Sequence, residues 1–220
     1  MILSITGFMG CGKSSVGRKL SQLLCCPFMD LDEMIEDEAG KSIPEIFAEI
    51  GERGFRQMEL TVLSSVLSAK TEEGEDRATR GTKAGGPQAK RSGGVSEANV
   101  RTSSVEQIET EEGTTTILQI ISLGGGTIMT KECAHIVRER TLCVYLKASV
   151  QTLSEHLEGE TQGRPMLKGN VRERITELMA QRADTYENTA HIIIDIDGKS
   201  VDEVAENIRD EVERRHRGGA

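Results

Sequence analysis

Gly7-Phe8-Met9-Gly10-Cys11-Gly12-Lys13-Ser14 decides how this chain is read. The stretch matches G-x-x-x-x-G-K-[ST] in full. It follows a strand-like run, Met1 to Thr6, and precedes a segment in which Val16, Leu20, Leu23 and Leu24 recur at three- and four-residue steps, so a helix is expected to start near Gly12. In that setting the glycines let backbone N–H groups turn inward around a polyphosphate, and the helix N-terminus adds a favourable dipole. Lys13 would reach the outer phosphates and Ser14 would ligate Mg2+. Gly10, Cys11, Gly12, Lys13, Ser14 and Ser15 are the expected contacts to the phosphates of a nucleotide. Cys11 is read as a small filler within this loop in preference to a redox switch.

Outward from the loop, short β-rich runs fall at about 1–6, 26–30, 117–123, 142–146 and 192–195, each separated from the next by at least one helical pattern. That alternation means an α/β domain with a parallel sheet and crossover helices. Ser42-Ile43-Pro44-Glu45 and Ser200-Val201-Asp202-Glu203 have capping-box spacing and mark two helix starts. Further helices fit about 52–68, 131–140, 150–158 and 171–188. Residues 70–116 break the rhythm. Rich in Gly, Ser, Thr, Glu, Lys and Arg, they cannot bury enough apolar surface to offset their ordering entropy. They are expected to be a disordered insertion in a single domain spanning 1–220, either a tolerated surface insertion or a partner-binding segment.

Composition excludes several classes. A chain of 220 residues has room for one sizeable core. Its formal net charge of −9, 3% aromatic content and lack of Trp argue against nucleic acid or anionic lipid as partners. No apolar run approaches the roughly 20 residues of a membrane-spanning helix. Five cysteines, an odd number, and a start directly on a strand-like run argue against a disulfide scaffold and a cleaved signal peptide, so a cytoplasmic location is expected.

A phosphate loop is common to switches, motors and kinases. A GTP switch would add an N/T-K-x-D guanine reader, but the nearest string, Thr130-Lys131-Glu132-Cys133, ends without the carboxylate. Asp37-Glu38-Ala39-Gly40 matches D-x-x-G but follows a helical start, and is read as coincidence.

Four other features point into the same crevice. Phe28-Met29-Asp30-Leu31-Asp32 ends the second strand, and strand carboxyl ends face the ligand in such sheets, so Asp30 and Asp32 would hold a metal-bound water and a substrate hydroxyl. Alternatively, Asp32 caps a helix beginning near Glu33. Ile117 to Leu123 runs into Gly124-Gly125-Gly126, where backbone without side chains lets another molecule approach. With no carboxylate ending that strand, Mg2+ would lean on Ser14, Asp30 and, through water, Ser122. Arg56 shares a helical face with Leu60, Leu63 and Leu67, and Arg182 follows Ile175, Leu178 and Met179. An inward Arg needs an anion, either a substrate carboxylate or an internal partner such as Glu59 or Glu187. The polar loop over about 158–169, which contains Gly163-Arg164-Pro165, reads as a lid that brings Arg164 to the transferred phosphoryl group.

Taken in order, GFMGCGKSSVG, FMDLD, SIPEIFAEIGERGFRQME, SLGGGTI, GRPML and QRADTYENTA resemble the successive signatures of the shikimate kinase family, over nearly the whole chain outside 70–116. The resemblance implies a P-loop three-layer αβα sandwich with a five-stranded parallel sheet, akin to nucleoside monophosphate kinases. It implies MgATP-dependent phosphorylation of the 3-hydroxyl of shikimate, in aromatic amino acid synthesis. The chain is expected to be a monomer. Carried over residue by residue, Asp32 would bind the shikimate hydroxyls and orient the nucleophile. Arg56 and Arg182 would hold its carboxylate, and Gly124, Gly125 and Gly126 would contact it through backbone. Lys13 and Arg164 would stabilise the γ-phosphoryl group, Ser14 and Asp30 would serve Mg2+, and Phe47 and Phe55 would pack near the substrate ring. Lys199, in the Asp197 to Ser200 turn, would contact adenine. The family's Arg on the helix before the lid is missing here. Glu155-His156-Leu157-Glu158 stands in its place, and His156 is expected in solvent, the alternative being that it substitutes for that Arg at adenine. A gluconate-type kinase or a non-catalytic ATP-binding module are the competing readings.

Overall fold

The computed structural model describes residues 1–68, 117–157 and 170–218. The expected insertion over 70–116, and the expected lid with Arg164, lie outside the described residues. Strand β1 (Ile2–Gly7) is buried along its whole length, as befits a central strand with helices on both faces of the sheet. It is the central member of a five-stranded sheet in the order β2-β3-β1-β4-β5, in which every neighbouring pair is parallel. The other strands are β2 (Phe28–Asp30), β3 (Gln119–Ser122), β4 (Leu142–Lys147) and β5 (Ile192–Asp195), all inside or within one residue of the expected runs. Ser4 is a polar interruption of β1, and its hydroxyl is matched by that of Thr141 at 2.6 Å.

Seven helices among the described residues complete the architecture: α1 (Lys13–Leu23), α2 (Leu31–Ala39), α3 (Ile43–Ser68), α4 (Lys131–Arg140), α5 (Val150–Leu157), α6 (Val171–Thr189) and α7 (Val201–Gly218). Helices α1 and α7 pack on one another, and α4 packs on both α3 and α6. Val16 and Leu20 of the expected α1 face are buried, and Leu23 and Leu24 pack against the core. Both capping boxes form. The N–H and hydroxyl of Ser42 donate to Glu45 at 2.8 and 2.5 Å, and those of Ser200 to Glu203 at 2.8 and 2.7 Å. The five cysteines are all free thiols.

Helix α3 is broken at Gly51, whose backbone (φ 68°, ψ 179°) is essentially confined to glycine. Phe47 before the break and Phe55 after it stack with ring centres 4.5 Å apart, so the turn folds one aromatic back onto the other. A Cβ on Gly51 would meet no atom within 4 Å, which makes the cost of Gly51→Ala purely conformational. That variant is expected to lose about 1–3 kcal/mol in urea unfolding.

At the opposite end of the sheet His191 joins β4 to the start of β5. Its Nδ1 accepts the Cys143 N–H at 3.0 Å, which requires the neutral ring. Partial burial, followed by Arg138 and Arg215, holds its pKa below the ordinary 6.5. The folded state therefore favours neutral His191. Its contribution to stability is complete above pH 6.5 and is lost as pH falls from there through the depressed folded value. Urea midpoints are expected to fall over that window, and His191→Asn, which keeps an acceptor but does not titrate, should flatten the slope.

Candidate active site

The order β2-β3-β1 puts the carboxyl ends of the three site-bearing strands side by side. After β1 the chain turns through Gly10 (φ 79°) and Gly12 (φ 81°), left-handed positions that suit glycine. Gly12 is the N-cap of α1 and brings no side chain to its first amides, whereas Asp30, Thr130 and Asn170 cap α2, α4 and α6 with theirs. The first amides of α1 are thereby kept for a ligand, while the Cys11 N–H of the loop closes on the Phe8 carbonyl at 3.3 Å. Lys13 Nζ donates to the carbonyls of Gly7 and Phe8 at 3.1 and 3.0 Å, folded back over the loop. Cys11 is buried, and burial pushes its thiol up in pKa, as suits a filler.

Ser14 Oγ donates to Asp30 Oδ2 at 2.5 Å and lies 3.5 Å from Ser122 Oγ. These three hard oxygen donors suit Mg2+ completed by water and phosphate. Among the described residues no group of three or more His, Cys, Asp or Glu could hold a metal without a ligand's help. Asp30 also accepts the Asp32 N–H at 3.0 Å and is the N-cap of α2, which begins at Leu31. The helix thus starts two residues earlier than expected, and capping falls to Asp30 in place of Asp32. Burial, then the neighbouring Asp30, push the Asp32 carboxyl up to about 6, while Lys13 pulls the other way.

Each glycine of Gly124-Gly125-Gly126 leaves room for a different part of the cleft. A Cβ on Gly124 would lie 2.5 Å from Asp32 Oδ1. One on Gly125 would lie 3.2 Å from Met9 N in the phosphate loop, and one on Gly126 would lie 2.5 Å from an Arg56 guanidinium nitrogen. Three elements distant in sequence therefore converge on one backbone run.

Arg56 has an internal anion. Its guanidinium bonds Glu59 at 2.7 Å, and Glu59, buried at 1% exposure, accepts a second bond from Thr127 Oγ1 at 2.6 Å. This carboxylate holds the Arg56 head beside Gly126. Its signal in the sequence is an acidic residue three positions after Arg56 on a face otherwise made of Val62, Leu63 and Val66. Arg182 is buried beside Gly125, with Nη1 3.5 Å from the Gly125 carbonyl and its guanidinium 5.9 Å from the Phe8 ring centre. The alternative partner Glu187 is engaged with Lys147 at 2.8 Å. The Gly125 carbonyl also accepts from Tyr186 Oη at 2.5 Å, a contact the sequence reading lacked. Phe55 is buried and lies 5.4 Å below the Arg56 guanidinium.

On the nucleotide side His156 is on the surface, as expected. Its Nδ1 lies 2.9 Å from the Gly10 carbonyl. Lys199 is on the surface with Nζ donating to the Asp195 carbonyl at 2.7 Å. The two switch-like strings are structural: Asp37 to Gly40 ends α2, and Thr130 caps α4 by accepting the Cys133 N–H.

A family model described as shikimate kinase matches residues 9–72 and 103–213. The chain is 32% identical over 215 residues to a shikimate kinase of Dictyoglomus turgidum, covering 95% of this chain and 98% of that one. It is 33% identical over 207 residues to one from Thermus thermophilus, covering 94% and 86%. Among solved structures, shikimate kinase from Aquifex aeolicus superposes with a TM-score of 0.68 at 26% identity, covering 98% of both chains. Shikimate kinase from Acinetobacter baumannii in complex with shikimate gives 0.72 at 24% identity, covering 97% and 93%, and supports the fold.

Proposed function

The chain belongs to the shikimate kinase family, and we propose that its cleft transfers the γ-phosphoryl group of ATP to the 3-hydroxyl of shikimate with the residues gathered around Gly124 to Gly126. The observation that carries this reading is the convergence of Asp32, Arg56 and the phosphate-loop backbone on those three glycines. A cyclic acid could rest on that backbone with its carboxylate toward Arg56 and Arg182 and a hydroxyl toward Asp32.

The phosphate loop, from Gly10 to Ser15, takes the nucleotide phosphates, and Lys13 exchanges its two carbonyl partners for the γ-phosphoryl oxygens. Ser14 and, through water, Asp30 would hold Mg2+, which would neutralise charge on the phosphates. Asp32 orients the attacking hydroxyl and accepts its proton. A loose transition state asks more for that alignment than for a strong base. Arg164 supplies a second cation to the transferred group, and Lys199 contacts the base. The acceptor and nucleotide are small molecules, and a single chain suffices to form the site. No described helix is long and apolar enough to cross a membrane.

The test is ADP release by the purified protein with MgATP, comparing shikimate, gluconate and AMP as acceptors. Shikimate-dependent turnover is expected. Turnover with gluconate or AMP alone would leave the kinase and overturn the acceptor. Asp32→Asn keeps the shape and loses the proton acceptor, so kcat/KM for shikimate is expected to fall by about 10²-fold, with both kcat and KM affected. Unchanged kinetics would remove Asp32 from the site.

A further inference from the structure

Two glycine carbonyls at the edge of the cleft are held from behind by side chains of later helices. On the acceptor side, Tyr186 of α6 donates its hydroxyl to the Gly125 carbonyl at 2.5 Å. Its ring is completely buried and stacks on Tyr145, with centres 5.0 Å apart and planes 14° from parallel. Burial raises the phenol pKa, so the group remains a donor across the working range of pH. On the nucleotide side, His156 of α5 places Nδ1 2.9 Å from the Gly10 carbonyl. A carbonyl oxygen only accepts, so Nδ1 carries the hydrogen. Leu157, the next residue, fills the space where a Gly10 Cβ would stand, 2.8 Å from it.

A trans peptide is planar, so its carbonyl and the following N–H point in opposite directions. With the Gly125 carbonyl turned to Tyr186, the Gly126 N–H faces the other way. With the Gly10 carbonyl turned to His156, the Cys11 N–H points across the phosphate loop, where it meets the Phe8 carbonyl at 3.3 Å. Glycine gives such peptides unusual freedom to turn over. If the Gly125 peptide turned it would present a carbonyl where an anionic ligand needs a donor, and if the Gly10 peptide turned it would break the Cys11 to Phe8 bond that closes the phosphate loop.

We propose that Tyr186 and His156 are positioning residues that keep these two peptide planes from turning over, the first serving the acceptor and the second the nucleotide. The assignment of ligands to the two sides rests on the function proposed above. Neither side chain touches the reacting atoms, and their effects should separate by ligand.

Three variants test this: Tyr186→Phe, His156→Ala and His156→Asn, each checked by thermal melting. ADP affinity is measured by calorimetry without acceptor, and KM for shikimate by ADP release. Tyr186→Phe keeps the stacked ring and is expected to raise shikimate KM about tenfold while leaving ADP affinity within about twofold. His156→Ala is expected to weaken ADP binding about three- to tenfold and leave shikimate KM unchanged. His156→Asn should restore binding, because its Nδ2 can take the place of Nδ1. Unchanged constants, a parallel loss of both ligands in either variant, or an Asn variant no better than Ala would overturn the proposal. Should wild-type protein use a different acceptor, the function is overturned, while the ADP measurements still judge the His156 arm.

Discussion

Lys13→Ala is expected to turn over about 10³–10⁵-fold more slowly than wild type at saturating MgATP and acceptor, the range found when a cation on a transferred phosphoryl group is removed. The reason lies in what the amine does before and after ligand arrives. Without ligand it caps the Gly7 and Phe8 carbonyls, two partly buried bonds that water can replace. In the transfer step no other described residue supplies a positive charge from within the loop itself. The substitution also removes the cation that holds down the Asp32 pKa, leaving that carboxyl still more readily protonated. The loss should therefore appear in kcat with little change in melting temperature. A loss below tenfold in ADP release would exclude Lys13 from the transfer.

Arg56→Ala is expected to act on substrate and fold together. Loss of a charge-assisted grip on a carboxylate should raise KM for shikimate by about 10²–10³-fold. The same change leaves Glu59, at 1% exposure, with Thr127 as its remaining side-chain partner. A buried charge stripped of its counter-ion destabilises by about 3–5 kcal/mol, which urea unfolding will read. Adding Glu59→Gln removes that orphaned charge. The double variant should regain most of the stability and none of the affinity, whereas recovery of both would mean Arg56 serves the fold alone.

Legibility in the sequence followed the range of the contacts. The phosphate loop and both capping boxes are local, with all partners within a few residues, and spacing alone located them. The positions of the strands were legible because a parallel sheet covered on both faces leaves largely apolar runs, whereas their order and register, set by pairings far apart in the chain, were not. At Asp30 and Asp32 the local pattern admits either residue as cap. The choice of Asp30 goes with its Ser14 bond, a contact 16 residues away. The glycine run was legible as a place of close approach, but not which atoms approach. Asp32, Met9 and Arg56 arrive there from three separate elements. Tyr186 reaches Gly125 across 61 residues and His156 reaches Gly10 across 146, and nothing in the neighbourhood of either side chain announces its partner. Glu59 was visible as a counter-ion for Arg56. Its burial and its bond to Thr127 needed the packed structure.

Strand β3 sits between β1 and β2, although both precede it in the chain. A nascent polypeptide therefore carries two finished strands that cannot pair with each other in the native order until Gln119 to Ser122 has emerged. The roughly 90 residues separating β2 from β3 add to closure entropy only logarithmically, so the final equilibrium hardly registers them. Time is the quantity they change. At about 5–20 residues per second, synthesis leaves the facing edges of β1 and β2 open for several seconds, as templates for any passing strand. Yield on expression should accordingly depend on translation speed and chaperone supply between codons 31 and 122 far more than on the stability of the finished enzyme.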